Sequence, residues 1–284
     1  MKIELVGKIS GGQDGAIYGT EVFRFDHRGN CRVHDLRNME EVSRRVATFV
    51  LDRADVLVPH CNAVVFGCER YEEGDEFPLL YANVYNNYAS QPDKLRGVCC
   101  VYRLQRTEDS FRTTLVQLIE IGFVDDPTLW KNSEEADGVR PYGNFVIDRE
   151  AGEYYAFVMR ESTQHTRFFR FALPAVREGE LDPTYGVPRR VLTAKDIRSY
   201  FDGPYQMFIQ GATAFGGKIY STEGFAHDEV RRPAIRVFDL RAEKEIASLD
   251  LLSNGYENEP EMIDFLRKDC YYSDANGNLY SLTL

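Results

Sequence analysis

Apolar and polar residues alternate along most of this chain in short runs that Gly, Asn and Asp bring to an end. A period of two belongs to strands with one face turned toward a core. Runs opened by a small or polar residue recur at 15–18 (GAIY), 62–66 (NAVVF), 144–147 (NFVI), 211–215 (GATAF) and 261–265 (EMIDF). Each is followed by a second run, at 21–25, 78–85, 154–160, 218–223 and 270–273, and by a third, at 31–35, 98–104, 167–172, 234–240 and 278–284. A fourth run, at 46–51, 113–121, 190–193 and 245–251, completes every group except the last.

The groups are internal repeats. RVHDLRNMEEVS at 32–43 aligns with RVFDLRAEKEIAS at 236–248, and both read as a strand, a charged turn and another strand. A helical turn at 39–45 is the alternative that this alignment outweighs. Asp26-His27-Arg28-Gly29-Asn30 matches Asp274-Ala275-Asn276-Gly277-Asn278, each a tight turn between two strands. A repeat of this period signals a propeller. The pattern predicts an all-β chain, one domain over 1–284, folded as a five-bladed β-propeller. The fifth blade runs out of chain, so the spare strand at 3–9 should close the ring beside 278–284, and its deletion should unravel the disc. Residues 69–77, 125–137 (with a short helix at 127–131) and 177–188 depart from the repeat and read as loop insertions.

Composition narrows the function. Hydrophobic residues make up 43% and aromatic residues 13% of the 284, with 18 Phe and 17 Tyr, enough for a large strand-based core. The net charge of −11 argues against nucleic acid. No apolar stretch has the length of a signal peptide or a membrane span. The expectation is a cytoplasmic protein if the chain is full length, and a secreted or periplasmic one if a signal peptide was removed. The cysteines Cys31, Cys61, Cys68, Cys99, Cys100 and Cys270 show no CxxC spacing and read as free thiols, mostly buried. His60, Cys61 and Cys68 fit no zinc pattern. Gly11 to Gly15 is glycine-rich but precedes no helix, so it does not read as a phosphate loop.

In a four-stranded antiparallel blade, the start of the first strand and the end of the second lie on one face of the disc, here called the upper face. That face should carry Gln13, Asp14, His60, Asn62, Tyr142, Asn144, Gln210, Glu259 and Glu261, together with Asp26, Asn86, Arg160, Glu161, Glu223 and Asp274. Asp26 and Asp274 are explained by their turns, whereas His60 has the ordinary pKa for acid or base work. The candidate ligand-binding residues are His60, Asn62, Tyr142, Asn144, Arg160, Gln210 and Glu259, and the candidate catalytic carboxylates are Glu161, Glu223 and Glu261. Amides and carboxylates around a channel suit a polar small molecule, above all a carbohydrate, with Tyr142 and Tyr205 as stacking faces. Glycoside hydrolysis would require two carboxyl groups flanking the bond. No cofactor is implied, although converging oxygens leave a channel cation such as calcium as an alternative. A protein-binding scaffold without catalysis is the second functional reading.

The stretch FIQGATAFGGKIYSTEGF at 208–225, with Glu261 opening the next blade, resembles the blade repeat of five-bladed propellers of the glutamine cyclotransferase type. Phe208, Gln210, Gly211, Ile219, Tyr220, Gly224 and Glu261 carry the match, over about a quarter of the chain, and Met262 stands where that family has Gly. The resemblance implies a five-bladed fold. It also implies a third function, cyclisation of N-terminal glutamine, with Glu261 moving protons and Gln210 orienting the substrate.

Overall fold

Five separate sheets surround one axis, and in each the strand nearest the axis is paired antiparallel with the next in sequence. The computed structural model describes residues 2–84, 97–122, 144–160, 165–204, 206 and 208–283, with the backbone alone at 159–160. Blade 1 runs Gly15–Tyr18, Glu21–Phe25, Asn30–Asp35 and Arg45–Val50. Blade 2 runs Pro59–Phe66, Leu80–Val84, Val98–Arg106 and Phe111–Ile121. Blade 3 runs Phe145–Asp148, Glu153–Arg160, His165–Ala172 and Ser199–Pro204. Blade 4 runs Ile209–Phe215, Lys218–Glu223, Ala234–Asp239 and Lys244–Asp250. Blade 5 runs Pro260–Leu266, Asp269–Asp274, Asn278–Thr283 and, from the other end of the chain, Lys2–Lys8.

The ring closes where the alternation predicts. Ile3 stands opposite Leu282, Leu5 opposite Tyr280 and Lys8 opposite Asn278. None of the residues of Lys2–Lys8 is fully buried, so the ladder itself carries little apolar burial. The anchor is the next residue. Ile9 is 3% exposed, donates its N–H to the Gly277 carbonyl at 2.7 Å, and packs with Val22, Val42, Met262 and Leu279 across blades 1 and 5.

Both matched turns use the same chemistry. The Asp26 carboxylate accepts from the N–H groups of Arg28 (2.9 Å) and Asn30 (3.1 Å), and Asp274 accepts from the N–H of Asn278 at 2.9 Å. Gly277 has φ of 81°, and a Cβ there would lie 2.1 Å from the Ile9 carbonyl oxygen, so the closing contact requires glycine. The charged turn of the first hairpin includes a single 3-10 turn at Met39–Glu41, capped by the Asn38 side chain.

One strand lies elsewhere than the pattern predicts. Residues 190–193 do not close blade 3. Pro188–Leu192 reaches back and pairs in parallel with Phe111–Ile121 of blade 2, followed outward by Glu180–Leu181. Gln117, fully buried, fixes this excursion by donating to the carbonyls of Ala175 (2.7 Å) and Glu178 (2.8 Å). It covers the backbone edge of the longest outer strand, and that offsets the loss of antiparallel order. Ser199–Pro204 then forms the rim of blade 3, where Phe201 stacks on Phe168 with ring centroids 4.7 Å apart. The helix expected at 127–131 lies outside the described residues.

Candidate functional site

The inner strands of three blades break their ladders at the same level, just inside the upper face. Pairing is irregular between Pro59 and Val64 in blade 2, between Ile209 and Gly211 in blade 4, and between Pro260 and Met262 in blade 5. The residues at these breaks are His60 to Ala63, Gln210 and Glu261. Cys61 (φ 57°) and Phe208 (φ 59°) adopt left-handed backbone at or beside two of them. A bulge frees backbone groups and re-aims a side chain, and strain of this kind gathers at functional sites.

Some candidates satisfy the groups that the bulges free. Asn144 donates its amide to the carbonyls of Asn62 (2.9 Å) and Ile209 (3.0 Å), tying blade 3 to blades 2 and 4. The Asn62 side-chain oxygen accepts from Asn83, and the Asn83 oxygen accepts from the Ala63 N–H at 3.1 Å. Asp14 accepts the Val64 N–H at 2.8 Å and donates its own N–H to the Cys61 carbonyl at 2.9 Å, joining blade 1 to blade 2. A Cβ on Gly211 would lie 2.5 Å from the Glu261 carbonyl oxygen and 2.9 Å from Asp14 Oδ1, so the axis is closed at this level.

Other groups remain unspent. Glu261 is 3% exposed, and its Oε2 finds no hydrogen-bond partner among the described residues. Burial, helped by neighbouring Glu259 and Asp274 and opposed by Arg24, pushes its pKa up to about 8. Glu259 is half-buried, accepts from the Gln210 amide, and has its pKa raised by burial. Gln210 also donates to the Gly224 carbonyl at 3.2 Å. Beneath them Arg24 is fully buried. Its Nη2 donates to the carbonyls of Gly12 and Asp274, both at 3.1 Å, while Nε and Nη1 find no partner among the described residues. Gln13 Oε1 and Asp14 Oδ1 are buried and unpartnered in the same sense. Burial raises the Asp14 pKa well above the carboxylate range and lowers that of Arg24.

Gln210, Glu259 and Glu261 therefore come together, with Gln13, Asp14 and Arg24 below. His60 sits half-buried on the blade 2 break. Glu223 is 4% exposed and bonded to Arg236 Nε at 2.5 Å, and Arg236 continues to Glu245 at 2.9 Å, an ion-pair chain across blade 4. Tyr142, Glu161, Asn86, Tyr205 and the side chain of Arg160 lie outside the described residues. Among the described residues, no three His, Cys, Asp or Glu side chains group as a metal site.

The pattern missed Arg24. In EVFRF it occupies the position that alternation gives to solvent, but a strand near the axis of a propeller is covered on both faces. The Asn83 side chain, on the second strand of blade 2, was missed for the same reason, whereas Gln206 was missed because it lies outside any strand. Gln206 is fully buried and donates to Ser221 Oγ at 2.7 Å.

No family model and no curated protein matches the chain. Among solved structures it is similar to Saccharomyces cerevisiae Sqt1 at 6% identity, covering 93% of this chain and 56% of that one, with a TM-score of 0.40. It is similar to BamB from Moraxella catarrhalis at 11% identity (95% and 57% covered, TM-score 0.33) and to the computationally designed Ika8 protein at 7% (99% and 100% covered, TM-score 0.39). The chain spans little more than half the length of the first two. The five-bladed propeller is therefore read from the chain's own five sheets and their closure.

Proposed function

We propose that the upper face binds a polar small molecule rich in hydroxyl groups, of which carbohydrates are the main class. The observation that supports this reading is Glu261, a carboxyl group on a bulge, buried beside Glu259 and Gln210 with one oxygen unpartnered among the described residues. A protonated Glu261 donates a hydrogen bond and Glu259 accepts one, the pairing that a sugar hydroxyl needs. If hydrolysis accompanies binding, Glu261 is the group that carries a proton at neutral pH, and its partner carboxylate is Glu259 or the earlier candidate Glu161.

Saturation-transfer NMR across a panel of neutral and amino sugars tests the reading. The expected result is a signal from at least one sugar that falls by tenfold or more in Glu259→Ala and Gln210→Ala. A panel without any signal, or one unchanged in both variants, overturns it. A glutaminyl peptide belongs in the same series, because residues 208–225 resemble a cyclotransferase blade. Ammonia release that depends on Glu261 would replace the carbohydrate reading with the cyclotransferase one.

The second reading is a scaffold for a protein partner. What favours it is the rim excursion on blade 2, where the two-residue edge strand ends in Leu181, 72% exposed, close to Val191, 38% exposed. A sheet edge with uncovered apolar side chains invites a further strand.

A further inference from the structure

The lower face, where the inner strands end, carries a cavity of about 490 Å³ that the functional reading above does not use. Its wall is aromatic. Phe215 of blade 4 and Phe265 of blade 5 stack with centroids 4.2 Å apart and planes at 12°, and Tyr18 of blade 1 also lines the cavity, its ring packed against Phe66 and Phe77 of blade 2. All three rings are only partly buried. A second cavity of about 500 Å³ lies on the other side of the same Phe215 and Phe265 pair, between blades 4 and 5.

The mouth of the axial cavity is basic in a chain whose net charge is −11. Arg149 and Arg267 line it, against one carboxylate, Glu150. Arg149 reaches Asp264 Oδ1 at 3.4 Å, a long contact to a carboxylate that already accepts from the Ile17 N–H (2.7 Å) and Thr213 Oγ1 (2.9 Å). Arg267 is exposed, sits at φ of 60° in the turn after Leu266, and makes no ion pair among the described residues. Non-glycine residues reach that conformation at a cost, and here it sets a guanidinium beside the rings.

We propose that this cavity is a second binding site, for a small aromatic anion. Two guanidiniums supply forked donors for a carboxylate or phosphate group. The stacked phenyl pair supplies a face on which a ligand ring continues the stack. The volume falls within the range of small-molecule sites.

Isothermal titration with phenyl phosphate, inorganic phosphate and phenol as separate probes tests the proposal. Phenyl phosphate should bind at least fivefold more tightly than either fragment. Arg267→Ala, an exposed substitution that leaves the core intact, should weaken it at least tenfold. Phe265→Leu should remove the preference over inorganic phosphate, with circular dichroism confirming that the variant is folded. Glu261→Gln, at the opposite face, should leave phenyl phosphate binding unchanged, which separates this site from the upper one. Equal affinities for phenyl phosphate and inorganic phosphate would reduce the site to a charged patch and overturn the proposal. Full affinity in Arg267→Ala would do the same.

Discussion

Glu261→Gln should stabilise the protein, and by an amount that grows with pH. The native carboxyl group is buried and titrates at about 8, against an ordinary value of 4.5. Above pH 4.5 the unfolded chain releases a proton that the native state keeps, so native Glu261 binds more protons than unfolded Glu261. Stability contributed by such a group is fully present below 4.5 and is lost as pH rises toward 8. At about 1.4 kcal/mol per pH unit, the whole interval amounts to about 5 kcal/mol, and the step from pH 5 to pH 7 to about 3 kcal/mol. Glutamine keeps the shape and one acceptor but has no proton to lose. Urea denaturation of both proteins at pH 5, 6, 7 and 8 reads the difference directly, because other titrating groups largely cancel. With a slope of about 3 kcal/mol per molar urea, the midpoint gap should widen by about 1 M between pH 5 and pH 7. A gap that stays constant over this range would refute the reasoning, since Glu261 would then ionise as it does in water. A carboxylate that Arg24 held ionised would give the same constant gap, because both states would then be charged throughout this range.

Gly211→Ala should cost about 1–3 kcal/mol, because its Cβ must displace the Glu261 carbonyl or the Asp14 carboxylate, and a thermal melt measures the loss. Removing residues 1–9 should cost at least about 3 kcal/mol through the loss of buried Ile9, and should expose the Asn278–Thr283 edge, so that light scattering detects self-association. Of the six cysteines, only Cys68 is exposed, so a thiol reagent should label one site in the native protein and six after denaturation. Partial desolvation of its sulfur and neighbouring Glu69 raise the Cys68 pKa although the residue is exposed, so that labelling should be slow at neutral pH and quicken as pH rises.

What could be read from the chain was whatever depends on neighbours in sequence. The Asp26 and Asp274 turns are local hydrogen-bond devices, so matching letters implied matching geometry. Ile3 and its neighbours were placed on the last blade because no other strand was left for them to pair with. The outer strand of blade 3 was misplaced because neither PRRVL nor SYFDGP alternates cleanly enough to mark it as the rim. A parallel partner across blade 2 decides between them, and that choice is not local. The polar character of the upper face was legible in the residues that open each inner strand. That Gln210 and Glu261 occupy bulges was not, since a bulge residue reads as one more strand position. Nor was the division of labour between Asn144, spent on two carbonyls, and Glu261, left with an oxygen unpartnered among the described residues.

The central claim is that the upper face holds a polar ligand at Gln210, Glu259 and Glu261. Crystals soaked in a mixture of mono- and disaccharides test it most directly. The account predicts sugar density within hydrogen-bond distance of Glu259 or Glu261. Density confined to the lower face or the rim, or none near these three residues at concentrations that give a saturation-transfer signal, would contradict it.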